Sequence, residues 1–424
     1  MRERYPRLFD ALVWPAVIVG DAALLLNLVA VSFMAVQRLG ADHSRLAWLG
    51  VTSGTTYALT CPLLARLGAR LGLKRSAVAG AALYVLWSLL LTQAQSIGQL
   101  AACYAVAGLG GALLWPNLEA LLAQGWQGPL LRKRLSIFNT MWCAGTVLGP
   151  LFCLWFYPKE PAALGEGGRA AINTLFYISA ALAGAMALFL IPWRSRAPQP
   201  AEAAAHEGDD GPCDPVRLRT FRLMSYMANF MCYVVLAVLR QLFEALANEQ
   251  WAGQDPVARH CWLLVLLAAP STAAFVVMYY AHRWSYRLKR HLAAQGLLAA
   301  AMVLVALSGN VYWLAVSFVV IGVTTSLIYS GSLFYSVEGQ SASSHMAGWH
   351  EAVLGAGGAC GLLLSGQIPW LLARLGVESQ YWLMRSPYLL AAGVFVLGIL
   401  LQLAVYARFA SGFRAATTET ERAA

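Results

Sequence analysis

The stretch VWPAVIVGDAALLLNLVAVSFMAVQ, Val13 to Gln37, decides the fold. It carries one charged residue, Asp21, and is longer than the roughly 20 apolar residues that cross a bilayer core as a helix. It is also too long for a signal-peptide core, and no small-residue cleavage site follows it. The reading is a retained first span, preceded by a polar segment with Arg2, Arg4 and Arg7.

Eleven further apolar runs extend the pattern. With the first, they cover roughly 12–37, 46–66, 76–95, 98–124, 136–157, 170–193, 220–246, 258–281, 289–309, 311–337, 347–373 and 385–407. Apolar residues make up 59% of the 424 positions and Asp, Glu, Lys and Arg only 12%, about half the charge of an ordinary soluble domain. The runs are helices, because lipid offers the backbone no hydrogen-bond partner and they are too long for barrel strands. The fold class is thus an all-α membrane protein with twelve transmembrane helices. Residues 1–193 form an N-terminal six-helix bundle and 220–424 a C-terminal bundle with its tail. The segment 194–219 between them, rich in proline and acids, is a cytoplasmic linker that cannot bury enough surface to order itself.

Net charge is +10. Segments on the N-terminal side of the membrane carry 22 of the 30 Lys and Arg residues, the opposite side carries 7, and Arg240 lies within a helix. This asymmetry places both termini in the cytoplasm. The charge is topogenic, and a nucleic-acid partner is not expected. Ten tryptophans fall near predicted helix ends, where indoles meet headgroups; Trp87, Trp115 and Trp142 do not.

The halves repeat. Leu73-Lys74-Arg75 recurs as Leu288-Lys289-Arg290, Gly108…Ala112…Trp115 as Gly322…Ser326…Tyr329, and Gly145-x-x-x-Gly149 as Gly357-x-x-x-Gly361, each at nearly constant offset. Even span numbers in each half make this a parallel repeat, an arrangement found in transporters whose halves rock about a midplane site.

With these features the whole chain resembles the major facilitator superfamily. In that family the loop after the second helix reads Gly-x-x-x-Asp-Arg-x-Gly-Arg-Arg. Here Arg70, Gly72 and the basic pair Lys74-Arg75 match, while Ala65 and Ala69 replace the glycine and the aspartate. Gly145-Thr146-Val147-Leu148-Gly149-Pro150 resembles the core of the family's antiporter motif, although Ser136, Cys153 and Leu154 stand at its outer glycine positions. The resemblance implies gating roles for Arg70, Gly72, Arg75, Gly145, Gly149 and Pro150. The Gly-x-x-x-Gly-Pro segment favours export.

Polar side chains inside spans are costly and mark function by default. Asp21 is read as a proton-coupling carboxylate or as an acid paired at the cytoplasmic gate; Glu119, four residues after Trp115, is a second coupling candidate. Candidate solute contacts are Asn27, Trp115, Asn117, Asn139, Trp142, Asn229, Tyr233, Arg240 and Tyr329. Asn229, Tyr233, Arg240 and Glu244 are spaced to share one face of the seventh helix. Arg240 either clamps an anionic group or pairs with Asp21 or Glu244. His350 and Glu351 are expected to open the eleventh helix as a cytoplasmic gate or cap.

The expected function is a secondary transporter moving a small amphipathic or aromatic solute by alternating access. Coupling to H⁺ is expected, and the location is the bacterial inner membrane. The alternatives are a transporter-like sensor or scaffold without flux and, ranked lower, an integral-membrane enzyme. No cysteine or histidine spacing marks a metal, and no glycine-rich phosphate loop is present. No cofactor, no metal and no catalytic residue are expected, and the protein is expected to be a monomer.

Overall fold

The computed structural model describes residues 10–157, 166–194, 215–251, 255–281, 284–338 and 343–423. Twelve long helices lie among them: α1 (Val13–Leu39), α2 (His43–Leu71), α3 (Leu73–Leu91), α4 (Ile97–Ala123), α5 (Gly128–Phe156) and α6 (Glu166–Leu190), followed by α7 (Pro215–Gln250), α8 (Pro256–Tyr280), α9 (Leu288–Leu307), α10 (Val311–Val337), α11 (Ser343–Arg374) and α12 (Gln380–Ala423). Each expected run is met by one helix. Two bounds differ. α7 begins at Pro215, inside the segment read as linker, where a proline at the first helical turn forfeits no hydrogen bond. α12 continues well past 407. The arginines of the extreme N-terminus and linker residues 195–214 lie outside the described residues.

Eleven of the helices are long and apolar enough to cross a membrane; α2 is the exception. Its middle reads Thr52-Ser53-Gly54-Thr55-Thr56-Tyr57, small and hydroxylated where its neighbours carry leucine and valine. Trp48, Leu59, Leu63 and Leu67 are exposed along its outer face. The helix makes the most extensive helix–helix contact in the molecule, with α11.

That crossing is built from small residues. Gly348, Gly355 and Gly366 of α11 lie against Ala65, Gly54 and Ala47 of α2. Spacings of 7 and 11 place the three glycines on one helix face, which lets the two backbones approach closely. Ala65, which replaces the family's glycine, packs on Gly348, so α11 supplies the space there. Gly145 and Gly149 of α5 bed against Ile18, Asp21 and Leu25 of α1; Gly357 and Gly361 of α11 bed against Phe230 and Val234 of α7. α1 to α6 pack mainly on one another, as do α7 to α12, and α2–α11 and α5–α8 join the two groups.

Helix ends are set by ordinary chemistry. Asp42, Ser96 and Asp255 cap α2, α4 and α8 by accepting backbone N–H bonds of 2.8, 3.3 and 3.0 Å. Gly72 breaks α2 from α3 with φ +104°, a conformation that side-chain-bearing residues rarely adopt. Arg134 ties three elements at the face where α1 begins: it pairs with Asp10 at 2.8 Å, donates to the Leu122 carbonyl at 3.0 Å and lies over Trp14 and Trp126.

Candidate functional site

Between the two groups of helices lies a central cavity of about 210 Å³. Tyr57 of α2, Tyr84 of α3, Tyr104, Trp115 and Glu119 of α4, Phe138 and Trp142 of α5, Tyr233, Arg240 and Gln241 of α7, Tyr329 of α10 and Glu351 of α11 form its wall. It is an aromatic box with three ionisable groups, the composition of a pocket for a small organic molecule.

The α7 contribution depends on a break in helical register. Val238–Leu242 forms a π-turn, which inserts a residue and rotates the remainder of the helix; such bulges recur at functional sites. Arg240 sits on this turn and enters the cavity wall, whereas Glu244 is swung into the core, its carboxylate 3.6 Å from His260 Nδ1. The expected stripe from Asn229 to Glu244 is therefore broken, and no local Arg240–Glu244 pair forms. Tyr233 remains on the wall. Asn229 is fully buried outside it, and neither polar atom of its side chain has a partner.

Asp21 is fully buried and lies outside the cavity wall. It accepts a 2.6 Å hydrogen bond from Thr146 Oγ1. Thr146 lines a second, smaller chamber of about 20 Å³ that shares Trp142, Tyr233, Arg240 and Tyr329 with the main cavity. Arg240 is close enough to act on the Asp21 carboxylate electrostatically without forming an ion pair with it. Arg240 Nε is buried and has no hydrogen-bond partner.

Trp142 and Tyr329 stack across the cavity, ring centres 5.3 Å apart and planes 13° apart. Tyr329 Oη donates to Glu119 Oε1 at 3.1 Å, and Tyr57 Oη donates to Glu351 Oε2. The two carboxyl groups adjoin. α11 starts at Ser343, so His350 and Glu351 lie about two turns inside it, buried, and do not cap it. Trp115, Trp142 and Trp87 find their roles here: the first two line the cavity, and Trp87 packs behind it against Tyr84 and Tyr104.

The remaining candidates are structural in their contacts. Asn27 donates to Ser88 at 2.8 Å, and Asn117 donates to the Leu113 carbonyl at 2.9 Å while packing on Gly68. Asn139 reaches Ser330 at 3.4 Å. None of the three lines the cavity. Arg70, Gly72 and Arg75 are exposed, and it is Arg66, one turn before Arg70, that meets α11, through His345 at 2.9 Å. Pro150 is buried within α5.

Polar contacts join the two groups of helices on both sides of the cavity. Toward the face where α1 begins, Arg66 meets His345, Arg132 donates to Ser285 at 2.6 Å, and the Gly128 N–H donates to Glu338 at 3.2 Å. Toward the opposite face, Gln37 donates to Asn248 at 3.3 Å, Gln241 to the Leu46 carbonyl at 3.0 Å, and Gln367 to Ser44 at 2.9 Å.

Tyr57, Tyr84, Tyr104 and Gln241 escaped the sequence reading. The run of hydroxyls around Tyr57 was its visible signal, and the neighbouring Arg240 was that of Gln241; Tyr84 and Tyr104 sit in ordinary apolar context.

Comparison with known proteins bears on the whole arrangement. The family model of the Major Facilitator Superfamily matches residues 13–338. A curated relative, the "Major facilitator superfamily multidrug transporter mfsC" of Aspergillus fumigatus, is 30% identical over 114 residues; that match spans 27% of this chain and 22% of the relative's length. The crystal structure of the human organic anion transporter MFSD10 (TETRAN) superposes with a TM-score of 0.64 at 14% identity, over 94% of this chain and 99% of that one. The Escherichia coli fucose:proton symporter FucP gives 0.62 at 12% identity, over 93% and 98%. At such identities the structures speak for the fold, and the family model, matching most of the chain, speaks for descent: the chain is an integral membrane protein that belongs to the major facilitator superfamily.

Proposed function

We propose that this protein is a secondary transporter that carries a small, flat, amphipathic solute with an anionic group across the bacterial inner membrane. It works by alternating access and is coupled to protons, with export favoured. One observation carries the reading: a central aromatic cavity that holds an arginine, Arg240, with no hydrogen-bond partner at Nε. A buried guanidinium N–H without a partner is costly, and a carboxylate or sulfonate on the solute would satisfy it. The stacked Trp142 and Tyr329 offer a flat apolar surface beside it. Asp21, held by Thr146 and within electrostatic range of Arg240, is placed to change its protonation with the occupancy of Arg240.

Helices 1–6 and 7–12 are the two moving bodies, both termini are cytoplasmic, and the monomer is the transporting unit. The polar contacts on the two sides of the cavity are the gates, which open in alternation.

The test is flux into proteoliposomes holding the purified protein. Aromatic carboxylates, neutral aromatics, amphipathic cations, sugars and amino acids are compared with and without an imposed pH gradient. Gradient-driven accumulation confined to the aromatic anions is expected. Silence across the panel from folded protein would instead favour a sensor without flux, and accumulation of cations would refute the role given to Arg240.

A further inference from the structure

One grouping on the cavity wall has a donor arrangement that an organic solute does not call for. Glu119 projects from α4, and His350 and Glu351 from α11; all three are buried. Each carboxylate has one oxygen engaged by a tyrosine, Glu119 Oε1 by Tyr329 and Glu351 Oε2 by Tyr57. The second oxygens stay available: Glu119 Oε2 has no hydrogen-bond partner, and Glu351 Oε1 faces His350 Nε2 at 3.7 Å. On the far side of the imidazole, Nδ1 meets Ser332 Oγ at 2.9 Å, while Nε2 has no hydrogen-bond partner. The tautomer in which Nδ1–H donates to Ser332 turns the Nε2 lone pair toward the carboxylates. One donor atom from each of the three residues lies within 4.8 Å of the other two.

We propose that Glu119, His350 and Glu351 form a binding site for one divalent transition-metal ion of the Mn²⁺, Fe²⁺, Co²⁺ or Zn²⁺ class. Two carboxylates with one neutral imidazole is a donor set that such ions accept. Ca²⁺ and Mg²⁺, which prefer oxygen alone, gain nothing from the histidine. Two adjoining carboxyl groups in a membrane span call for a cation or for a proton shared between them, and Arg240 on the same wall pairs with neither. The hydrogen bond behind His350 is the outer-shell contact that fixes the tautomer of a ligating imidazole. Holding one ion at roughly 2.0–2.2 Å requires the three donors to draw closer together than they stand. Glu119 and Glu351 line the cavity, which gives the ion its access path and leaves its other coordination positions facing the solute. The ion would tie α4 to α11 across the two groups of helices. The site stands whether or not the organic anion is the solute.

The experiment uses full-length, untagged protein in detergent, titrated with Co²⁺ and read by its visible d–d absorption. Equilibrium dialysis gives the stoichiometry. One Co²⁺ per chain is expected, displaced by Zn²⁺ or Mn²⁺ and not by millimolar Mg²⁺ or Ca²⁺. His350→Gln should weaken binding by at least roughly a hundredfold, and Ser332→Ala, which touches no donor atom, by about ten- to a hundredfold. Because a variant in this core can fail to fold, Mn²⁺ electron paramagnetic resonance on the unaltered protein supplies a second reading, where nitrogen coupling from the imidazole is expected. Absence of saturable Co²⁺ binding, or equal affinity in folded His350→Gln and Glu119→Gln, overturns the site and leaves the carboxylates sharing a proton.

Discussion

Arg240 and Asp21 divide the work that a coupled carrier needs. Arg240 lies on the cavity wall, whereas Asp21 is one layer behind, reached through Thr146 and the smaller chamber. A proton on Asp21 and an anion on Arg240 are thereby linked without either displacing the other from its contacts. Replacing Arg240→Gln removes a charged hydrogen bond worth about 1.5–3 kcal/mol, so affinity for an aromatic carboxylate should fall by roughly ten- to a hundredfold. Quenching of Trp115 and Trp142 emission measures it, and affinity for a neutral aromatic of the same shape should hardly change. Asp21→Asn separates coupling from binding. Gradient-driven uptake should be abolished while counterflow exchange of the solute persists, and normal uphill transport in that variant would remove Asp21 from the coupling role. Both residues are visible in sequence as charges inside apolar runs. Tyr57, Tyr84 and Tyr104 of the wall are not, because a tyrosine in a span reads equally as an interface anchor or a core residue, and only packing distinguishes them.

At the scale of elements, the apolar runs located every helix, and the reading of helix faces failed where a helix departs from 3.6 residues per turn. Asn229, Tyr233, Arg240 and Glu244 align only if α7 is regular; the π-turn at Val238–Leu242 sends Arg240 to the cavity and Glu244 to His260. Nothing in the local run Val-Leu-Arg-Gln-Leu announces that turn, and what stabilises it is tertiary, including the bond from Gln241 to the Leu46 carbonyl. The bringing together of Glu119 with His350 and Glu351 was hidden for a related reason: the residues lie on different helices, and spacing along the chain carries no information about that meeting. The glycine pairs, in contrast, were legible. Gly145 and Gly149 admit α1, and Gly357 and Gly361 admit α7. A side chain at Gly145 would overlap the Ile18 carbonyl, so Gly145→Leu should cost about 1–3 kcal/mol through overpacking. A lowered melting temperature in detergent is the expected result. Gly296→Leu, on α9 with open space around the glycine and lipid-facing exposure, is the control and should melt unchanged.

For the molecule as a whole, the question is whether the two groups of helices move as bodies. The small-residue seam between α2 and α11 spans most of their length, from Ala47–Gly366 through Gly54–Gly355 to Ala65–Gly348. A seam without interlocking side chains can pivot about its middle, and Gly54–Gly355 lies there, on the cavity wall. If it pivots, separating Arg66 from His345 must press Gln37 toward Asn248, and the reverse motion must do the opposite. Cysteines at Arg66 and His345, or at Gln37 and Asn248, on a background with the native cysteines replaced, make the motion measurable with a short thiol crosslinker. Either crosslink alone should stop flux, and its reductive release should restore it. Adding solute should change the two crosslinking rates in opposite directions, since one population shift governs both gates. Rates that rise or fall together would mean the cavity breathes as a whole. Undiminished flux with both gates crosslinked would mean that the path does not run between the two groups of helices at all.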